Sequence, residues 1–495
     1  MKKLVMKKCY IYEIISICFL VTLTFVIAMK SPLNPWTNGV SGTDSSVFKY
    51  VAMVISKGGM PYKDAFDHKG PLLYIINILG QFISFYRGIW VIECIFIFGT
   101  FYMMYKTARF FVSRFSACFI VVTAISPLTR YFEGGNLTEE YAMVFIAISV
   151  YIFLDYFLNG RVSKLQISIC GFCFGAVLML RANMISLWAV FCISILIWNI
   201  IHLKKIPWNY LLYFLLGSSV LIIPLCIWLI KEHAFSYFIH DYILFNMKYS
   251  SVEERARYTS IMTFLDCNIF LVSLVSVVYL IKKKINLFFN ISYLIYILVT
   301  LITITLSGRS YGHYGMILIP MFTYPLSQLY SSVENSKKEF IDSSVVLLII
   351  LTLAIFPNLR TNLDEMMNAF YYPNSIVRLD NVNQTIVNLI QEYTAPEDKI
   401  IVIGNADIYY VLSHRLAASR YSYQAPVAEI DEVICQEFIS DIVTNKPRMV
   451  ILTNEAYEPY RSWFTTINQY EQIYLSEGSI QTGVYILKNE TGTNK

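Results

Sequence analysis

Charge is what this sequence has least of. Only 15% of its 495 residues are Asp, Glu, Lys or Arg, against roughly 25% in a soluble domain. By contrast 56% are hydrophobic, and the mean hydropathy is +0.53. An ordinary water-soluble globule is thereby excluded. A disulfide framework is missing too. Of ten cysteines, most, including Cys18, Cys94, Cys118, Cys192 and Cys226, fall in apolar runs, and Cys435 stands alone in the polar C-terminal region. Cys170 and Cys173 form a CxxC inside the apolar run 165–180, where core packing accounts for them better than metal or redox chemistry. There is no HExxH, no nucleic-acid motif, no low-complexity tract and no internal repeat. The turn Gly404-Asn405-Ala406-Asp407 lacks the glycine spacing of a dinucleotide site. Nucleotide chemistry and a nucleic-acid partner therefore drop out.

What is present is a series of apolar runs. They cover 11–29, 88–105, 115–128, 141–158, 165–180, 184–201, 210–230, 261–281, 285–306, 315–330 and 343–356. Each approaches the ~20 residues that cross a bilayer, so the sequence predicts a polytopic α-helical membrane protein of about eleven spans. The first run follows Lys2, Lys3, Lys7 and Lys8 but precedes no small-residue cleavage site, and reads as an anchor. Further basic clusters stand at Lys106/Arg109/Arg114, Arg161/Lys164, Lys204/Lys205, Lys282/Lys283/Lys284 and Lys337/Lys338. Placed in the cytoplasm, as short basic loops are, they put the N-terminus inside and 31–70, 129–138, 181–183, 231–260, 307–314 and everything after Pro357 outside. The apolar segment 71–86 is short, and a full crossing there would invert every later loop. It reads as a re-entrant or interfacial helix.

From about Asn358 the composition changes. Lys399 to Gly404 and Arg448 to Thr453 read as buried strands, with a helix reaching Ser413 and an amphipathic helix from Glu429 to Thr444. The expected organisation is a membrane module, 1–357, with an outer loop at 31–70, and a small extracytoplasmic α/β domain, 358–495.

The outer loop carries the unusual residues. Asp44 follows the first span and precedes "GMPYKDAFDHKGPLLY", which brings Tyr62, Asp64, Asp67, His68 and Lys69 up to the next apolar run. The order of first span, outward loop with an early Asp, many spans and an outer C-terminal domain resembles the GT-C superfamily of polyprenyl-phosphate-sugar glycosyltransferases. The family 39-like type, that of protein mannosyltransferases and aminoarabinose transferases, is the nearest in flavour. The resemblance implies that Asp44 is the catalytic carboxylate and that Lys69-Gly70-Pro71-Leu72 stands for the family's Lys-Pro-Pro-Leu-like motif. This chain departs from the pattern twice, with Asp44-Ser45 for Asp-Glu and Gly70 for the first Pro. A second outer-loop acid commonly joins the site in that family, which points to Glu139 or Glu140. Both also fit the plainer role of helix-start acids favoured by the helix dipole.

A lipid-linked sugar phosphate keeps its tail in the bilayer and its phosphate at the surface, so it calls for cations at the membrane edge. Lys69, Arg181, Arg309 and His313 are the candidates. Arg181 interrupts two apolar runs, a costly place unless it faces a polar cavity or snorkels. It is expected to contact charge rather than core. Arg309, Tyr311, His313 and Tyr314 in "SGRSYGHYGM" form a donor cluster or an interfacial aromatic-basic belt. Tyr62, His68, Tyr311 and Tyr314 are the substrate-binding candidates.

The expected activity is transfer of a sugar from a polyprenyl-phosphate donor to a glycan, lipid or protein acceptor at the outer face of the plasma membrane. Asp44 would act as base, with inversion at the anomeric carbon. No cofactor is required by the residues; a divalent cation on Asp44 with Glu139 or Glu140 is the one considered. The rival readings are a transporter or flippase of a lipid-linked precursor, and a polysaccharide ligase or polymerase.

Overall fold

A computed structural model describes residues 2–37, 39–160, 162–249, 267–282, 286–306, 308–309, 311–335, 343–372, 381–424, 427–454, 456, 458–476 and 481–488. Of the expected basic clusters, Arg161, Lys283, Lys284, Lys337 and Lys338 lie outside those residues, as do 250–260 of the expected outer loop and 261–266 of the eighth run. The chain is a mostly helical, multi-pass membrane protein with a small C-terminal sheet. It divides into two compact units. The first comprises Met1–Trp36, Arg87–Cys226 and Ser250–Pro373; the second comprises Thr37–Tyr86, Ile227–Tyr249 and Asn374–Lys495.

Among the described residues seven helices are long and apolar enough to cross a membrane: Tyr10–Ala28, Ile89–Ala108, Thr138–Asn159, Ser186–Leu203, Trp208–Lys231, Leu287–Thr305 and Ser344–Tyr371. They correspond to seven of the eleven expected runs. Three of the other runs give the shorter apolar helices Arg114–Ile125, Lys164–Leu178 and Val272–Ile281. The run 315–330 is not one helix but a tight 3-10 turn at Gly312–Ile317, a short turn at Leu318–Met321 and a helix at Thr323–Glu334.

Local signals set many of these limits. Ser163 and Gln166 form a reciprocal capping box that starts Lys164–Leu178, and Asn286 caps Leu287–Thr305 through the Phe289 amide. Gly160, in the left-handed conformation, ends Thr138–Asn159.

Without a hydrophobic drive between helices in lipid, close packing needs small residues. Gly171 and Gly217 show this directly. A Cβ on Gly171 would lie 2.0 Å from the Phe214 carbonyl oxygen, and one on Gly217 would lie 1.9 Å from that of Ser168. The helices 164–178 and 208–231 therefore cross backbone to backbone. Cys170 and Cys173 are buried free thiols on the first of them.

In the second unit the expected outer loop 31–70 contains a helix, Thr43–Ser56, and the short apolar segment after it forms a second, Pro71–Ile83. Pro71 opens the second at a position where its missing amide costs nothing. At 13 residues that helix is about 20 Å long, short of the ~30 Å hydrocarbon core. It buries Leu73, Tyr74 and Ile76 and leaves Leu79, Phe82 and Ile83 exposed.

The C-terminal sheet has five strands: β1 (Lys399–Ile403), β2 (Leu416–Ala417), β3 (Met449–Leu452), β4 (Tyr470–Leu475) and β5 (Gly483–Leu487). Their order is β2-β1-β3-β5-β4. β1 runs parallel to β2 and β3, with Ile400 opposite Met449, and β5 runs antiparallel to β3 and β4. Ile400 to Ile403 and Met449 to Ile451 are wholly inaccessible, as strands covered on both faces require. The helices Ile408–Ser413 and Glu432–Asn445 fall close to the two read from the sequence. The β4–β5 hairpin is an addition to that reading.

Candidate functional site

The candidate residues form one cluster in each unit.

In the first unit, the loop before Thr138–Asn159 is coiled by four successive residues at positive φ: Glu133 (41°), Gly134 (88°), Gly135 (80°) and Asn136 (57°). Two of them are glycine, where that conformation carries no Cβ penalty. The coil presents Glu133 to the turn Gly312–Ile317. The Gly312 amide donates to Glu133 Oε1 at 2.8 Å, and His313 Nδ1 lies 2.6 Å from Oε2.

Glu139 and Glu140, adjacent at the helix start, are both buried but take different parts. Glu139 pairs with the Arg181 guanidinium and accepts from the Thr138 hydroxyl at 2.7 Å. Glu140 accepts from the Asn136 amide at 2.8 Å and so closes the coiled turn. Arg181, 7% exposed, also lies 4.1 Å from the centroid of the Tyr314 ring. It is held inside the protein by a carboxylate and an aromatic face, not extended to an interface. Tyr311 stacks on His313 at 5.7 Å, and Arg309 is half-buried on the same connection.

The sequence reading did not single out Glu93. This fully buried carboxylate sits about one turn into Ile89–Ala108 and accepts from Ser31 Oγ at 3.2 Å. A Cβ on Gly135 would come within 2.2 Å of its Oε1, so glycine is needed there for the loop to pass. An acid inside an apolar run was the signal available.

In the second unit Asp44 stands exposed in the first turn of Thr43–Ser56. The motif after that helix folds on itself. Asp64 accepts from the Met60 amide at 2.7 Å, and the Tyr62 amide donates to the Ala65 carbonyl at 2.8 Å, with Tyr62 at φ 68°.

Asp67, 1% exposed, is the centre of this loop. It accepts from the His68 amide at 2.7 Å and from the phenols of Tyr74 and Tyr423 at 3.0 Å each. Burial pushes its carboxyl above the ordinary range against the lowering pull of Lys69 and these donors. Lys69, also buried, holds its ammonium 2.7 Å from His68 Nε2, and its carbonyl receives the Tyr62 phenol at 2.8 Å. The His68 ring stacks on Tyr249 at 5.4 Å. Asp407, wholly buried, accepts from Ser422 Oγ at 2.6 Å; burial first, and Asp67 in addition, push it up to about 7. The Tyr423 phenol is raised well above its ordinary value by burial and then by Asp67, Asp407 and Asp44, so Asp44 lies within the field of this network.

Thus Lys69, His68 and Tyr62 are brought together in one unit, as are Glu139, Arg181, Tyr314, His313 and Tyr311 in the other. Among the described residues no group of three His, Cys, Asp or Glu is disposed to hold a metal ion. Asp67, Tyr74, Tyr423 and Asp407 went unassigned in the sequence reading; Tyr423 reaches Asp67 from 356 residues away, a contact that leaves no local pattern.

No curated protein matches the chain's sequence. Solved structures do match its shape. The chain is similar to ArnT from Cupriavidus metallidurans bound to undecaprenyl phosphate, at 10% identity over 97% of this chain and 99% of that one, with a TM-score of 0.61. It is similar to the same protein in the apo state, at 10% identity over 97% and 98%, with a TM-score of 0.63. The Archaeoglobus fulgidus oligosaccharyltransferase tethered to an acceptor peptide gives 14% identity over 88% and 68%, with a TM-score of 0.50. The fold is therefore that of the GT-C membrane glycosyltransferases, as the sequence resemblance implied. The family described as "Putative competence-induced protein Ccs4 N-terminal domain" matches residues 2–345, more than half of the chain, and this chain belongs to that family.

Proposed function

We propose that this protein is a membrane glycosyltransferase that moves a sugar from a polyprenyl-phosphate donor to a cell-envelope acceptor at the outer face of the plasma membrane. The observation that carries the reading is the likeness of fold, over 97% of the chain, to an ArnT structure bound to undecaprenyl phosphate. In this reading Asp44, exposed on the first helix turn after the first span, takes the proton of the acceptor hydroxyl. The hydroxyl oxygen bonds to the anomeric carbon, the bond from that carbon to the phosphate oxygen breaks, and the configuration inverts. The polyprenyl phosphate departs with its tail still in lipid.

Lys69, Arg181 and Arg309 offset the charge growing on the leaving phosphate, the part taken by preorganised donors, and His313 assists. Arg181 has its orientation set by Glu139 and Tyr314. Tyr62 steadies the Lys69 backbone; His68, Tyr311 and Tyr314 contact substrate or brace those that do. Glu139 and Glu140 shape the site, each through the partner described above. The membrane module 1–357 carries the transfer and the extracytoplasmic part 358–495 the acceptor side, with the N-terminus in the cytoplasm. Labelling of Thr43→Cys by an impermeant thiol reagent from outside tests that orientation; labelling only after permeabilisation reverses it.

The test of the activity is Asp44→Asn in protein reconstituted with a radiolabelled polyprenyl-phosphate sugar. Transfer should fall about 10²–10⁴-fold, the range of acid-base catalysis, while donor still binds. Transfer at the parent rate would return Asp44 to the status of a solvated surface residue. Cells lacking the protein should accumulate unused donor on the outer leaflet; accumulation on the inner leaflet would favour the flippase reading.

A further inference from the structure

A polar groove is lined only by residues of the second unit, none of which takes part in the Asp67 hydrogen bonds. It is an open groove of about 730 Å³, inside the ~300–1,000 Å³ range of small-molecule sites. One wall is the helix Glu432–Asn445, which lines it with Gln436, Glu437, Ser440 and Asp441. That spacing of i, i+1, i+4 and i+5 is a single helix face. The facing wall carries Ser236, Tyr237 and His240, on the short helix Phe235–Phe238 and the π-helical turn Ile239–Leu244 that follows. π-helical turns of this kind are frequent at functional sites. Lys63 stands at the edge.

The groove is built around Arg420. Its guanidinium donates to both oxygens of the fully buried Asp241, at 3.2 and 3.3 Å, to the Tyr62 carbonyl at 2.6 Å and to the Tyr421 hydroxyl at 2.9 Å. Tyr237 and Tyr421 lie 5.4 and 4.7 Å from it. Asp241 also fixes the neighbouring imidazole, with His240 Nδ1 2.8 Å from Oδ1, while more than half of the His240 side chain stays exposed in the groove. An oriented imidazole, an amide and two serine hydroxyls stand beside a half-open tyrosine ring, with Glu437 and Asp441, which already accept from the Tyr421 and Ser419 hydroxyls, keeping further lone pairs for hydroxyl groups.

The charges decide among ligands. Arg420 is already paired with the buried Asp241 and has Glu437 3.8 Å from its Nε, which leaves Lys63 beside Glu437 and Asp441 on the lining. An anion would meet the carboxylates, and a cation would meet Lys63 and the guanidinium. A neutral polyol finds donors and acceptors together and a ring to lie against. Strand addition or an apolar groove, two common ways of holding a peptide, need a sheet edge or apolar side-chain pockets, and the lining residues provide neither.

We infer that the groove binds a neutral carbohydrate, the acceptor glycan of the transfer proposed above, a reading on which it rests. The test is retention of full-length, detergent-solubilised protein on an array of neutral oligosaccharides, acidic oligosaccharides and synthetic peptides. Wild-type protein should be retained by neutral glycans. Tyr237→Ala and Gln436→Ala should each weaken retention roughly tenfold, the worth of one lost hydrogen bond or ring contact. Ser440→Trp, at an exposed helix position, should abolish it by filling the groove without disturbing the core. Retention only by acidic glycans or peptides, no retention at all, or unchanged retention in all three variants overturns the assignment. Asp44→Asn separates the two readings. Loss of transfer in that variant with glycan binding intact supports both. Neutral-glycan binding by a wild-type protein that transfers nothing removes the transferase reading and leaves the groove, and transfer without groove-dependent binding does the reverse.

Discussion

In the first unit the buried carboxylate of Glu139 meets a guanidinium; in the second unit that of Asp67 meets two phenols and an amide. Both solve the problem of an acid taken out of water, at different energetic risk. An ion pair in a low dielectric gains strongly from its partner and loses as strongly when the partner goes. A carboxylate surrounded by hydroxyl donors keeps its place with smaller individual terms, and it retains the option of holding a proton. The first arrangement suits a charge that must stay fixed. The second makes its surroundings responsive to pH.

The comparison can be broken at the ion pair first. Arg181→Ala leaves Glu139 charged and enclosed, so the first unit should lose about 3–5 kcal/mol, read as a lowered unfolding midpoint in detergent. The paired replacement Glu139→Gln with Arg181→Met should recover most of that loss. An Arg181→Ala protein as stable as its parent would mean that the pair is solvated. The sequence reading expected Arg181 to contact charge rather than core; the structure gives it a charged partner, Glu139, buried with it inside the first unit.

In the second unit Tyr423→Phe removes one donor from Asp67 and keeps the ring. The loss should be smaller, about 1–3 kcal/mol for a hydrogen bond to a charged or partly charged acceptor, by the same measurement. A loss matching that of Arg181→Ala would show that the tyrosine network is as brittle as the ion pair.

The most specific effect is on pH. Asp407 is raised by burial to about 7, above the ~3.9 of an unfolded chain, so the folded state holds the proton more tightly. Its contribution to stability is then full below about pH 4, falls progressively as the pH rises through 7, and is absent above. Asp67, raised in the same direction, adds to the slope. The unfolding midpoint of the wild-type protein should therefore drop between about pH 4 and 7, and Asp407→Asn should flatten that decline. A slope unchanged by the substitution would assign the pH response to Asp67 or another group.

The membrane character, most of the long helices and the strands at 399–404 and 448–453 were legible because each follows from local composition, whereas the helix Thr43–Ser56 that carries Asp44 falls in a segment that the sequence reads as loop. A run of ~20 apolar residues has no stable place but lipid or a core. A β-branched stretch bounded by turn residues has few alternatives to a strand. The break of the run 315–330 into turn and helix was not legible, since apolar composition says nothing about where a backbone bends. Nor could adjacency along the chain separate Glu139 from Glu140. Their different roles depend on Arg181, some forty residues on, and on a coil of residues at positive φ that directs one carboxylate back to its own turn. Asp67 stood among the other polar residues of its loop, and nothing in the sequence set Arg420 apart. Only the tertiary fold buried the first among tyrosines and seated the second on Asp241. A buried charge is defined by what surrounds it, and those surroundings come from parts of the chain that meet only when the protein has folded.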